Sequence, residues 1–175
     1  MKSGDIELRH LRDEWAPTFN AFLDAGLNFR HTFSGSIPMR DIDVAAEWEK
    51  ERKAGSVQWG IFANGSFIGT TGLYSHRDIY RSFEFRILIG CPSSIGKGYG
   101  TTVTKLVLDW AFQRLNAHRV WLGVNSENIS AVRCYENCGF KREGVLRDDI
   151  YCHGKYVDTF RMSVLESEWS VHVEA

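Results

Sequence analysis

Three glycines at alternating positions, Gly96, Gly98 and Gly100 in "SIGKGYGTT", with Lys97 between the first two, make the stretch of this 175-residue chain best suited to hold an anion. Without Cβ atoms, successive backbone N–H groups approach a ligand closely, and glycine reaches unusual dihedrals at little cost. A helix beginning at once adds its positive N-terminal end. The plainer reading is a tight turn after a strand; the sharper one is a phosphate cradle. Two familiar phosphate loops do not fit. A G-x-x-x-x-G-K-[ST] loop needs glycine where Cys91 stands and Ser or Thr where Gly98 stands. A G-x-G-x-x-G dinucleotide loop fails because Gly96-x-Gly98 leads to Thr101, and the repeated βαβ units of that fold are missing.

Other residues carry chemistry of their own. In "SFEFRILIG", strand alternation puts Phe83, Phe85, Ile87 and Ile89 on one face and Ser82, Glu84, Arg86 and Leu88 on the other. Glu84 is either a general base or a surface carboxylate paired with Arg86. Asn128 opens a short helix as a preferred N-cap residue, and Tyr135 follows on the same helix. The four cysteines, Cys91, Cys134, Cys138 and Cys152, match neither a zinc ribbon nor a C-x-x-C pair. Cys134 and Cys138 share a helix face, and buried, reduced thiols are expected there. Histidines such as His76 and His118 are scattered without ligand spacing, so no metal is expected.

These residues need elements to position them. "DIELRHL" reads as a first strand, followed by a helix in "RDEWAPTFNAFLDAG" with Trp15, Phe19, Phe22 and Leu23 at helical spacing and Gly26 at its end. "RDIDVAAEWEKERKAG" is a second helix ending at Gly55. "SVQWGIFA" and "SFIGTTGLYS" form a hairpin across Asn64-Gly65, and "SFEFRILIG" continues the antiparallel series. After the glycine loop, "TTVTKLVLDWAFQRL" carries Val103, Leu106, Val107, Trp110 and Ala111 on one helical stripe. "HRVWLGV" is a strand, "NISAVRCYENCGF" a helix closed by Gly139, and "DTFRMSVLE" a last strand. This order predicts an α/β (α+β) fold whose mixed sheet has a right-handed parallel crossover at its centre.

"IGKGYG" resembles the acetyl-CoA loop of the GNAT N-acetyltransferase family, Arg/Gln-x-x-Gly-x-Gly/Ala, with Ile95 where the family usually has Arg or Gln. "NSENISAVRCYENCGFKREG" is similar to the family's Asn-x-x-Ala…Tyr-Glu-x-x-Gly-Phe segment. "YCHGKYVDTFRMSVLESEW" resembles the RimJ/RimL and spermidine acetyltransferase branch, and the likeness runs from about Ile6 to Trp169. It implies a mostly antiparallel sheet of about seven strands with a splayed parallel central pair, and about four helices.

The resemblance also implies acetyl-CoA as co-substrate, with its pyrophosphate on the N–H groups from Gly96 through Lys97, Gly98, Tyr99 and Gly100 to Thr101. The pantetheine arm would lie along the strand, where Ile87 and Ile89 offer backbone groups, and Asn128 or Asn125 would reach it. Acetyl transfer to an amine needs a neutral nucleophile, because a primary amine with a pKa near ~10 is protonated at neutral pH. Glu84 is the implied base and Tyr135 the implied acid for the departing thiolate. The acceptor is a small-molecule or peptide amine: a polyamine such as spermidine, a protein N-terminus or an amino sugar. Asp24, Asp41, Asp43 and Glu47 could join Glu84 in an acidic pocket completed by "LNFRHTFSGSIPMR" and "SHRDIYRS". The rival is a non-catalytic acyl-CoA-binding sensor or scaffold of the same fold.

Net charge is −1, from 21 basic and 22 acidic residues well mixed, so no nucleic-acid face stands out. No apolar run approaches the ~18 residues of a membrane span, and "MKSGDIELRH" lacks a signal-peptide core, so no membrane partner and a cytoplasmic location are expected. The length suits one domain over residues 1–175, with a homodimer or higher homo-oligomer as the expected assembly.

Overall fold

Alternating aromatic and branched residues set the first half of the chain into an antiparallel meander, seen in a computed structural model that describes residues 1–24, 43–152 and 154–173. The strands are β1 (Lys2–Ser3), β2 (Ile6–His10), β3 (Val57–Ala63), β4 (Ser66–Arg77) and β5 (Ser82–Ile89). Asn64 (φ +50°) and Gly65 (φ +79°) are both left-handed in the β3–β4 turn, the pair of dihedrals a two-residue hairpin needs. Between β2 and β3 lie α1 (Ala16–Asp24), entered through a 3-10 turn at Asp13–Trp15, and α2 (Val44–Lys53). The Asp43 side chain caps α2 by accepting from the Ala46 N–H at 3.1 Å. The expected Gly26 helix end lies outside the described residues.

The second half adds α3 (Tyr99–Gln113), β6 (Arg119–Asn125), α4 (Ile129–Asn137), β7 (Lys141–Cys152), β8 (Lys155–Leu165) and α5 (Glu166–Val173). Sheet order is β1-β2-β3-β4-β5-β6-β8-β7, antiparallel except at β5–β6. The chain therefore crosses over once at the centre, through α3, as the strand–loop–helix–strand order predicts. One face of α3 enters the core: Val103, Val107 and Ala111 are fully buried, as the stripe requires, and Leu108 joins them beyond it. They pack against Ile61, Leu73, Phe85, Val120, Leu122 and Val164 of the sheet. Leu106 and Trp110 are only partly buried, with the Trp110 ring 5.0 Å from that of Trp59.

Two counts differ from expectation. Among the described residues the sheet has eight strands where about seven are expected, and there are five α-helices where about four are expected. The strands without a sequence signal are β1, only two residues long, and β7, whose residues 141–149 are all exposed, so no buried face imposes alternation on "KREGVLRDDIYC". Its register against β8 also shifts twice, between Arg142 and Gly144 and between Leu146 and Ile150. The missed helix is α5, which lacks an apolar stripe; the Trp169 indole N–H anchors it to Asp109 at 3.1 Å.

The feature that makes a site is a break in the sheet. β5 and β6 pair only at Ser82–Arg119, Phe83–Val120 and Glu84–Trp121. From there toward Ile89 and Asn125 the two strands share no ladder.

Candidate active site

A cavity of about 720 Å³ occupies the place where the β5–β6 ladder stops. Its wall includes residues from both faces of β5, namely Glu84 and Arg86 from one and Phe85, Ile87 and Ile89 from the other. A pocket that touches both faces of one strand passes through the sheet, and only parted neighbours permit this. Gly123, Val124 and Asn125 of β6 form the facing edge.

One end of the cavity is the glycine loop. Gly96 (φ +78°) and Gly98 (φ +77°) are left-handed, and a Cβ built on either meets nothing within 4 Å. Backbone conformation, not crowding, therefore selects glycine at both positions. Gly98 is the N-cap of α3 without a side-chain cap, which leaves the first N–H groups of a 15-residue helix for an outside partner. Ile95, Gly96, Gly98, Tyr99, Gly100 and Thr101 all line the cavity. Lys97 does not: it is exposed, and the backbone of its flanking glycines forms the wall instead. Of the residues expected at the cofactor, it alone falls outside.

The other expected residues come together. Ile87, Ile89, Asn125, Asn128, Glu84 and Tyr135 line the same space. Both asparagines also have structural duties. Asn125 is 3 % exposed and its Oδ1 accepts from the Glu127 N–H at 2.8 Å. The Asn128 Oδ1 caps α4, accepting from the Ala131 N–H at 3.1 Å and from the Ser130 hydroxyl at 2.9 Å.

Glu84 is not the exposed strand carboxylate of the plainer reading, since its side chain is only 12 % exposed, yet it does pair with Arg86, Nη2 to Oε2, at 2.8 Å. Tyr135, half-buried on α4, holds its ring against Phe85 and Phe140, with centroids 6.3 and 5.8 Å away. Burial pushes its phenol above the ordinary range, and negative charge on Cys134 or Cys138 would push it further. Tyr135 therefore keeps its proton at every working pH.

Cys134 and Thr101, on facing walls of the cavity, approach to 3.3 Å between Sγ and Oγ1. Hydrogen bonds from the Cys138 thiol and then from the Thr101 hydroxyl hold the Cys134 thiol below its ordinary range against the opposing effect of burial. Cys138 is buried and pushed the other way, first by its bond to Cys134 and then by burial. Among the described residues no group of three His, Cys, Asp or Glu could hold a metal ion.

Several cavity residues carry no signal in the sequence: Tyr74, Thr71, Ser94 and Ser130. Tyr74 stands directly across from Glu84 in the β4–β5 ladder. A turn that includes a 3-10 segment at Asp78–Tyr80 and a register shift between Ser75 and Arg77 hides that pairing from the sequence. The acidic pocket is revised. Asp41 and the Asp24 side chain lie outside the described residues, as does "LNFRHTFSGSIPMR". Asp43 caps α2 and Glu47 pairs with Lys50 at 3.5 Å, both exposed, and neither lines the cavity. "SHRDIYRS" sits at the end of β5 opposite the glycine loop, with Ile79 86 % exposed.

Residues 5–141 match the family model described as "Acetyltransferase (GNAT) domain". The spermidine N(1)-acetyltransferase of Vibrio cholerae is 40% identical over 107 residues, 61% of each chain. That of Escherichia coli K12 is 32% identical over 109 residues, 62% of this chain and 58% of that one. The chain thus spans about three-fifths of these curated relatives in sequence. The structural likeness is longer. The Vibrio cholerae spermidine N-acetyltransferase solved with CoA and spermine superposes with a TM-score of 0.83 and 30% identity, over 95% of this chain and 98% of that one. A dodecameric structure of the Vibrio cholerae spermidine N-acetyltransferase in an intermediate state gives 0.76 at 28% identity, over 94% and 96%. Of the two branch names that the C-terminal segment suggested, these relatives support spermidine acetyltransferase. With most of its length under the family model and a solved acetyltransferase superposing over 95% of it, the chain belongs to the GNAT acetyltransferase family.

Proposed function

We propose that the protein is an acetyl-CoA-dependent N-acetyltransferase acting on a primary amine by direct attack, with polyamines of the spermidine and spermine class as first candidates. The observation that carries this reading is continuity: one cavity runs from the α3 N-terminus through the parted strands to Glu84 and Tyr135. The backbone from Gly96 to Thr101 suits an anionic diphosphate, and the β5 and β6 edges suit an extended amide-bearing arm. Acetyl-CoA supplies an activated acyl group with a thiol leaving group. Glu84 then takes the amine's proton, directly or through water, and Tyr135 holds a proton for the sulfur. Asn125 and Asn128 shape the turn into α4 so that Tyr135 faces the cavity. The relatives named for spermidine support the substrate class, and the dodecameric one supports a homo-oligomer.

The test is acetyl-CoA turnover against polyamines, amino sugars, aminoglycosides and peptides with free N-termini. Turnover with at least one polyamine at micromolar to millimolar KM supports the reading. Tight acetyl-CoA binding with no turnover on any amine would make the protein an acyl-CoA-binding sensor instead. Glu84→Gln should lower kcat about tenfold near neutral pH, less than a base without a water relay would contribute. The deficit should shrink as alkaline pH deprotonates the amine unaided, while the acetyl-CoA Kd stays within about twofold. A pH profile superimposable on wild type would return Glu84 to an ordinary ion pair.

A further inference from the structure

Around Glu84 the structure holds a charged cluster drawn from three elements. On β5, strand alternation sets Glu84 and Arg86 side by side, and the Arg86 Nη2 donates to Glu84 Oε2 at 2.8 Å. From α2, Glu51 accepts from Arg86 Nη1 at 3.4 Å through Oε1 and from the Ser56 hydroxyl at 3.3 Å through Oε2. From β4, the Tyr74 ring lies under the guanidinium, 4.1 Å from Cζ to centroid. The Thr71 hydroxyl on the same strand donates to the Arg86 carbonyl at 2.9 Å. The guanidinium therefore has a face, two edges and a backbone that are each held.

We propose that Arg86 is the positioning residue for Glu84, fixing the ionised carboxylate in the cavity wall from a guanidinium braced on Tyr74 and tethered to α2 by Glu51. The inference rests on the transferase reading above and adds a residue to it. Arginine suits the task where lysine would not, because a planar fork can stack on a ring and donate in two directions at once. Without the guanidinium, Glu84 would lose the opposite charge in contact with it, which favours its ionised form. Arg86 itself stays charged: burial works against its proton, but the hydrogen bond to Glu84 and the charges of Glu84, Tyr74 and Glu51 outweigh that.

The experiment reads the carboxyl of Glu84 directly, in cofactor-free protein labelled with ¹³C at glutamate side chains and assigned through Glu84→Gln. Arg86→Met should raise the Glu84 titration midpoint by about one unit or more, as expected when an opposite charge within contact is removed. Arg86→Lys, which keeps the charge, should restore most of the midpoint but not the geometry. In turnover, Arg86→Met should lower kcat about tenfold, move the acid limb of kcat/KM upward with the carboxyl, and leave the acetyl-CoA Kd within about twofold. Arg86→Lys should recover the limb and only part of kcat. An unchanged Glu84 midpoint in folded Arg86→Met overturns the proposal whether or not the enzyme is active. So does a shifted midpoint with kcat unchanged. A shifted midpoint in a protein that acetylates no amine upholds the ion pair and overturns the transferase reading instead.

Discussion

Gly98→Val is expected to abolish acetyl-CoA binding in calorimetry while leaving the protein folded. The position combines a left-handed backbone, φ +77° and ψ 0°, with the N-cap of α3, where the Gly98 carbonyl accepts the first helical bond from Thr102 at 3.3 Å. Open space surrounds the Cβ position, so valine meets no neighbour; what it cannot do is adopt that dihedral without strain of about 1–3 kcal/mol. Relieving the strain rotates the peptide units on either side, and those units carry the N–H groups on which the pyrophosphate would rest. The core contacts of α3, at Val103, Val107 and Ala111, lie further along the helix, so thermal stability should fall only modestly. Gly98→Asn separates the two effects. Asparagine tolerates the left-handed region, so it keeps the dihedral while adding a side chain, and binding should be weakened less than by valine. A folded Gly98→Val protein with wild-type affinity would show that the loop does not seat the cofactor.

The same loop shows what could be read from residues alone. Three bare positions followed by an amphipathic stripe admit few readings, and the helix, the left-handed turn and the cavity wall all match that pattern. The meander was equally legible, because each strand from β2 to β5 buries at least one face and the Asn64-Gly65 turn permits one hairpin register. Legibility failed where burial does not discipline the sequence. β7 pairs with β8 yet exposes residues 141–149, and α5 carries an unpatterned "ESEWSVHV" whose Trp169 indole bonds Asp109 of α3.

For the site, residue types reached Glu84 and Tyr135, but the pairing that surrounds Glu84 is tertiary. Glu51 lies 35 positions before Arg86, which it holds, on a helix whose own pattern gives no hint of the contact. Lys97 is a case of its own. Its position inside the motif suggests a backbone N–H for the phosphate, and in the structure its flanking glycines line the cavity while its own side chain is exposed.

Tyr135→Phe should lower the rate of acetyl transfer by about 10²–10⁴, roughly 3–5 kcal/mol of transition-state stabilisation, with acetyl-CoA binding and thermal stability close to wild type. The substitution removes only the hydroxyl. The ring contacts with Phe85 and Phe140 that hold this part of α4 against the sheet remain. The raised phenol pKa determines the sign of the pH dependence. A group whose pKa is raised stays protonated through the ordinary one near ~10, so Tyr135 adds no basic limb below that point. The ratio of wild-type to Tyr135→Phe rates should therefore be flat from neutral pH to about pH 10. The same shift makes the phenol a poorer donor than the thiol it would form, whose ordinary pKa is near ~8.5. Transfer from Tyr135 then becomes favourable only as negative charge builds on the departing sulfur, and the hydroxyl acts first as a hydrogen bond to that charge and last as an acid. Single-turnover assays observe this step without product release. A less than twofold effect there would make Tyr135 a packing residue against Phe85 and leave protonation of the thiolate to water entering along the β5–β6 gap.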